Sequence, residues 1–111
     1  MIPGRYHWQH TVSVVTGERG SGPHAGTTVW TDDPTRVDLQ AAVQSMDRAS
    51  VVRYGLDTTT EHFWVRLDEN AGPLTPNNTA LEFGDKFLII TSVNHVPGEE
   101  YELIATHGQR T

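Results

Sequence analysis

Apolar and polar residues exchange places at each step in four separate short stretches of this chain, and that alternation constrains its fold more than any other feature. Successive side chains of a strand point to opposite faces, so a period of two marks a strand with one buried face. In His10–Thr16, Val12 and Val14 share one face and Thr11 and Ser13 the other. Val37–Met46 sets Val37, Leu39, Ala41 and Val43 against Asp38, Gln40, Ala42 and Gln44. Glu61–Leu67 sets Phe63, Val65 and Leu67 against His62, Trp64 and Arg66. Tyr101–His107 turns Tyr101, Leu103 and Ala105 inward. Lys86–Val93 contains Phe87-Leu88-Ile89-Ile90 and is apolar on both faces, as a central strand requires.

Turn and loop signals separate these segments. Gly17–Thr28 carries four glycines and a proline and reads as a long mobile loop. Trp30 ends that loop or opens a short strand, and Asp32-Asp33-Pro34 is a turn. Asp47 is placed to cap a short helix over Arg48–Tyr54 that Gly55 ends, with Val51 and Val52 covering one mouth of a barrel. A second loop runs from Asp68 to about Thr79, and Gly84-Asp85 and Pro97-Gly98 make turns. The predicted fold is therefore mainly β. It is a small antiparallel barrel or sandwich of five to six strands with one short helix and long loops, in a single domain over 1–111.

Composition narrows the function. The chain has 111 residues, 36% hydrophobic, enough for one compact core with a small stability margin. It contains no cysteine, which excludes disulfides and thiolate metal sites. Net charge is −6, and its eight basic residues are spread from Arg5 to Arg110 without the basic stripe of a nucleic-acid binder. No stretch approaches the roughly 20 apolar residues of a membrane-spanning helix. The opening MIPGRYHWQH does not read as a secretion signal. The sequon Asn77-Asn78-Thr79 therefore carries little weight.

No catalytic or metal motif emerges. The histidines, His7, His10, His24, His62, His95 and His107, include no HExxH pair, and zinc needs three or four converging ligands. Thr58-Thr59-Thr60-Glu61-His62 places hydroxyls beside an imidazole, but no nucleophile elbow is present and the stretch reads as the polar start of a strand. Gly17, Gly20, Gly22 and Gly26 lack the lysine and following helix of a phosphate loop. The expectation is a protein that is no enzyme, with no cofactor and no bound metal. Trp8 and Trp30 suit either a partner's surface or the core. Trp64 faces away from Phe63 and Val65, so one of those sets is exposed or covered by a neighbour.

Three segments carry a family likeness. WQHTVSVVTG is a strand followed by a glycine-rich loop. DLQAAVQSMDRASVVRYGLDTTTEHFWVRLD is a strand, a short helix ending in Tyr-Gly, and a strand with alternating aromatics. LEFGDKFLIITSVNHVPGEEYELIATH introduces a strand with Gly-Asp, turns and closes with a last strand. In order and total length the chain resembles the head–tail joining, or head-closure (stopper, neck), proteins of tailed bacteriophages. The stretch Trp30–Arg36, with its acidic turn, departs from that pattern.

The resemblance implies a virion protein that assembles as a ring, usually of six copies, between the portal or adaptor and the tail. It would close the DNA-filled head, with DNA passing through the channel without specific binding and no membrane involved. The residues it marks for contacts are Tyr6, Trp8, Gly20, Gly22, His24, Gly26, Trp30, Asn70 and Asn77. A small OB-like or SH3-like module that binds a ligand, a peptide or a single strand is the alternative reading of the same strands.

Overall fold

The computed structural model describes residues 10–20 and 26–109. The alternating segments are strands: β1 (His10–Arg19), β2 (Thr28–Asp32), β3 (Leu39–Ser45), β4 (His62–Leu67), β5 (Thr79–Phe83), β6 (Lys86–His95) and β7 (Tyr101–His107). Six of them close into an antiparallel barrel in the order β1-β3-β4-β7-β6-β5, because β5 returns to pair with β1. Closure satisfies backbone groups that an open sheet leaves at its edges. The fold is thus a barrel and not a sandwich, with β2 as a further strand paired to β1.

The expected Gly17–Thr28 loop is shorter than its glycines suggested. Gly17–Arg19 continues β1 and Thr28 opens β2, and the two strands pair from Val15–Asp32 to Arg19–Thr28. The Gly20 amide donates to the Thr27 carbonyl at 2.8 Å. Residues 21–25, with the expected contact residues Gly22 and His24, lie outside the described residues, as do Tyr6 and Trp8.

Inward residues of every barrel strand meet in one core. Val12, Val14, Val65, Leu67, Leu81, Leu88, Ile90 and Leu103 are all but inaccessible. Each such side chain contributes roughly 1.5–3 kcal/mol by burial. Phe87-Leu88-Ile89-Ile90 is apolar on both faces because Leu88 and Ile90 point into the core while Phe87 and Ile89 pack outside it with Trp30, and a bulge in β6 follows the run. The pairing shifts between Ile90 and Ser92, so Ile90 opposes Ala105 and Val93 opposes Leu103. The extra residue reverses the parity and keeps both inside.

Two outer patches are covered. On one flank Val15, Ala80 and Phe87 are buried beneath Trp30, whose ring meets Phe87 edge-on at 5.1 Å between centroids. Gly17 makes room for this. A Cβ there would stand 2.7 Å from Thr28 Cγ2 and 2.8 Å from Trp30 Cζ3. On the other flank lies α1 (Arg48–Arg53), capped by the Asp47 carboxylate, which accepts from the Ser50 amide at 3.1 Å. Its Val51 packs with Met46 and Ile104 beside Leu56 and Trp64. The helix therefore covers the outer face of β4 and β7 and not a mouth of the barrel, and Val52 is exposed. Trp64 faces away from the core, as its position requires, and Tyr54 lies edge-on to it.

Strand direction sorts the loops into two ends. β1, β4 and β6 run one way and β3, β5 and β7 the other. The β1–β2 connection, residues 33–38, residues 68–78 and the β6–β7 turn gather at what is termed here the upper end. The start of β1, residues 46–61 and the Gly84-Asp85 turn form the lower end.

Candidate docking surface

The upper end is built by polar side chains that gather backbone groups from distant loops. Residues 33–38 join β2 to β3 along one edge of β1, where the Val14 amide donates to the Arg36 carbonyl at 2.9 Å. Asp33 accepts from the Thr35 hydroxyl at 2.6 Å, the Thr35 amide at 2.9 Å and Arg36 Nε at 2.7 Å. These donors, the Thr35 hydroxyl foremost, hold the carboxyl down at about 2, against the ordinary 3.8. The Arg36 guanidinium then reaches across the end. Its Nη1 donates to the Ala71 carbonyl at 2.9 Å and the Pro73 carbonyl at 2.6 Å.

A second clamp lies beside the first. Asp68 caps a single 3-10 turn at Glu69–Ala71. The Glu69 carboxylate accepts from His95 Nε2 at 3.1 Å and from the Gly98 amide, tying this turn to the β6–β7 hairpin. The His95 ring stacks on Tyr101, 3.9 Å between centroids and 13° between planes. Tyr101 in turn lies against Gly72, where any Cβ would overlap its hydroxyl. Ala71 and Leu74 are buried, so this loop also closes the upper mouth.

Five of the expected contact residues are described, and all five lie at or near the upper end. Gly20 and Gly26 flank the tip of the β1–β2 hairpin, with Gly26 at φ +87°. Asn70 is exposed on the 3-10 turn. Asn77 is exposed at φ 67°, and its amide donates to the Ile90 carbonyl at 2.7 Å. The neighbouring Asn78 carbonyl accepts from the Gly17 amide at 2.8 Å, which places this turn at the root of the hairpin. Trp30 is half-buried and serves in packing over Gly17 and Phe87. Sequence reasoning marks none of Asp33, Arg36, Glu69 and His95 as contact residues: Asp33 reads only as part of a turn and His95 only as a histidine without metal partners. The string Asp33-Pro34-Thr35-Arg36 did hold a signal, because an aspartate followed two residues later by threonine commonly forms a self-bonded turn.

The lower end is closed by rings. His10 meets Phe83 edge-on at 5.4 Å, and Phe63 meets His107 at 5.0 Å. Lys86 Nζ stands 5.5 Å from the Phe63 centroid and 5.9 Å from that of Phe83. His107 Nε2 pairs with Glu61 Oε1 at 2.9 Å. Outside this plug is an open cleft of about 630 Å³ bordered by Asp85, Lys86, Phe87 and Gly108.

The Thr58–His62 stretch does not form a nucleophile–base pair. The Thr59 and Thr60 hydroxyls donate to the Asp57 carboxylate at 2.6 Å and 3.2 Å. His62 Nε2 is 2.8 Å from the Asp57 carbonyl, so the imidazole is bound to backbone and not to a hydroxyl. Among the described residues no group of three or more His, Asp or Glu side chains is placed to hold a metal ion. No helix among them is long and apolar enough to cross a membrane.

No family model and no curated protein matches the chain.

Proposed function

We propose that the protein is a structural component of the phage neck, present in several copies between the portal or adaptor and the tail, where it closes the DNA-filled head. One observation carries this reading: several loops gather at one end of a barrel whose own interior is filled from mouth to mouth. A filled barrel offers no passage along its axis, so a DNA channel would run between copies arranged as a ring. The clustered upper loops are the natural docking elements, since flexible connections order on assembly and wrap a neighbour's surface. The acidic balance supports passage without grip, because each lysine or arginine on a phosphate adds salt-sensitive affinity.

The test is a particle assembled without this protein. Such heads are expected to package DNA, lose it afterwards, and fail to take tails. Heads that retain DNA and join tails in its absence overturn the assignment.

A further inference from the structure

We propose that copies of this chain join head to tail, with the β6–β7 turn of one copy seated on the outer face of α1 of the next. The contact deepens the neck reading, on which the ring of copies rests, by naming the surfaces that meet.

Val52, Tyr54 and Val96 are the most exposed large apolar side chains among the described residues, each more than half accessible. Two of the three belong to α1 and its C-terminal end. Val51 turns inward, and helical spacing then puts Arg48, Ala49, Val52 and Arg53 on the solvent face. Val52 thus lies between two cations, with Tyr54 beside it edge-on to Trp64. The carboxylates at either end of this segment are engaged in their own turns. Asp47 accepts from the Ser50 amide, and Asp57 from Thr59 and Thr60. Arg48 and Arg53 make no ion pair among the described residues. In a chain of net charge −6, this is an apolar strip edged by unmatched cations.

The third exposed side chain has the opposite setting. Val96 and Pro97 stand out at the upper end, on a turn pinned where the Glu69 carboxylate accepts from the Gly98 amide. Glu100 and Glu102 are matched by Arg66, at 3.5 Å and 2.6 Å. Glu99 is exposed, and its carboxylate makes no ion pair among the described residues. The turn is an apolar knob carrying an unmatched anion.

Charge sets the orientation. Two α1 faces brought together would oppose arginine to arginine, and two turns would oppose Glu99 to Glu99, so each patch rejects its own kind. The unlike patches attract, and their meeting buries Val52 and Tyr54 against Val96 and Pro97. A contact between two different surfaces is heterologous, and it repeats into a ring when the rotation closes. Both patches are small, so one contact is weak and closure of the ring holds the copies together. α1 lies on the flank over β4 and β7, which leaves the lower plug outside the contact.

The chain contains no cysteine, so introduced thiols report this contact alone. Chains carrying Val52→Cys and Val96→Cys, both at exposed positions, are mixed in equal amounts and oxidised mildly. The mixture is expected to form disulfide dimers roughly tenfold faster than either variant alone. Adding Arg53→Glu to the Val52→Cys chain should slow the linking roughly tenfold, and adding Glu99→Arg to the other chain should then restore it. The proposal is overturned if either variant alone links as fast as the mixture, which is the result for two-fold pairing or chance collision. It is also overturned if nothing links, or if the charge reversals change nothing. None of these results touches the particle test of the neck reading, and heads that hold DNA without the protein would leave the cross-link standing.

Discussion

The two ends of the barrel are sealed by different chemistry. At the lower end, Phe63, Phe83, His10 and His107 interlock under the Lys86 ammonium, and the contacts join residues that strand pairing already brings together. At the upper end, Arg36 and Glu69 reach across sequence separations of 37 and 29 residues to hold backbone groups of other loops. Apolar plugs are part of the core and yield only when the barrel opens. Apart from Ala71 and Leu74, which reach the core, the segments held by polar clamps are mostly exposed, and such segments open locally at lower free energy. The molecule therefore has one end fixed by its core and one end whose loops are posed by a few charged side chains. A docking surface that must adapt to a neighbour belongs at the second.

Breaking the lower plug should cost most. Phe63 is 3% exposed, and Phe63→Ala is expected to destabilise the protein by about 3–5 kcal/mol in urea unfolding. A loss under about 1 kcal/mol would mean that the ring is not part of the core.

Crowding the hairpin comes next. Gly17→Ala forces a Cβ against Trp30 and Thr28 and should cost about 1–3 kcal/mol, with altered tryptophan emission. Unchanged emission would contradict the packing of Trp30 over this strand. Releasing the upper clamp has a similar or smaller effect but a local one. Arg36→Met leaves the part-buried Ala71 carbonyl without its donor, at about 1–3 kcal/mol, while the exposed Pro73 carbonyl turns to water. Hydrogen exchange should rise at Ala71 and Gly72 and stay unchanged at Asp85, and a uniform rise along the chain would remove the distinction between the ends.

The smallest effect is in acid. The Asp33 carboxyl is depressed to about 2, so its contribution is complete above its ordinary 3.8 and is lost as pH falls toward 2. The stability difference between the native chain and Asp33→Asn should therefore shrink over that interval. A difference that is constant with pH would show that the Thr35 and Arg36 donors do not hold a carboxylate there.

Much of this was legible in the sequence, and the parts that were not have physical reasons. Strands with one buried face announced themselves by alternation, and Asp47 and Gly55 marked the helix. The continuation of β1 through Gly17 was hidden because glycine ordinarily signals a loop, whereas here it admits an indole. Trp30 was left between core and surface because the residues it covers, Val15 and Phe87, come from two distant strands. The bulge at Thr91 was invisible after a run that is apolar on both faces. The site at the upper end rests on Arg36 meeting Ala71 and Pro73, a contact that only closure of the barrel creates.

The central claim is that the upper end docks and the lower end does not. Hydrogen exchange of the protein, free and in the proposed neck assembly, measures this directly. The account predicts slower exchange on assembly at Gly20, Thr27, Asn77 and Gly98, with Gly84 and Asp85 unchanged. Protection at Gly84 and Asp85 with none at the upper loops, or equal exchange in both states, would contradict it.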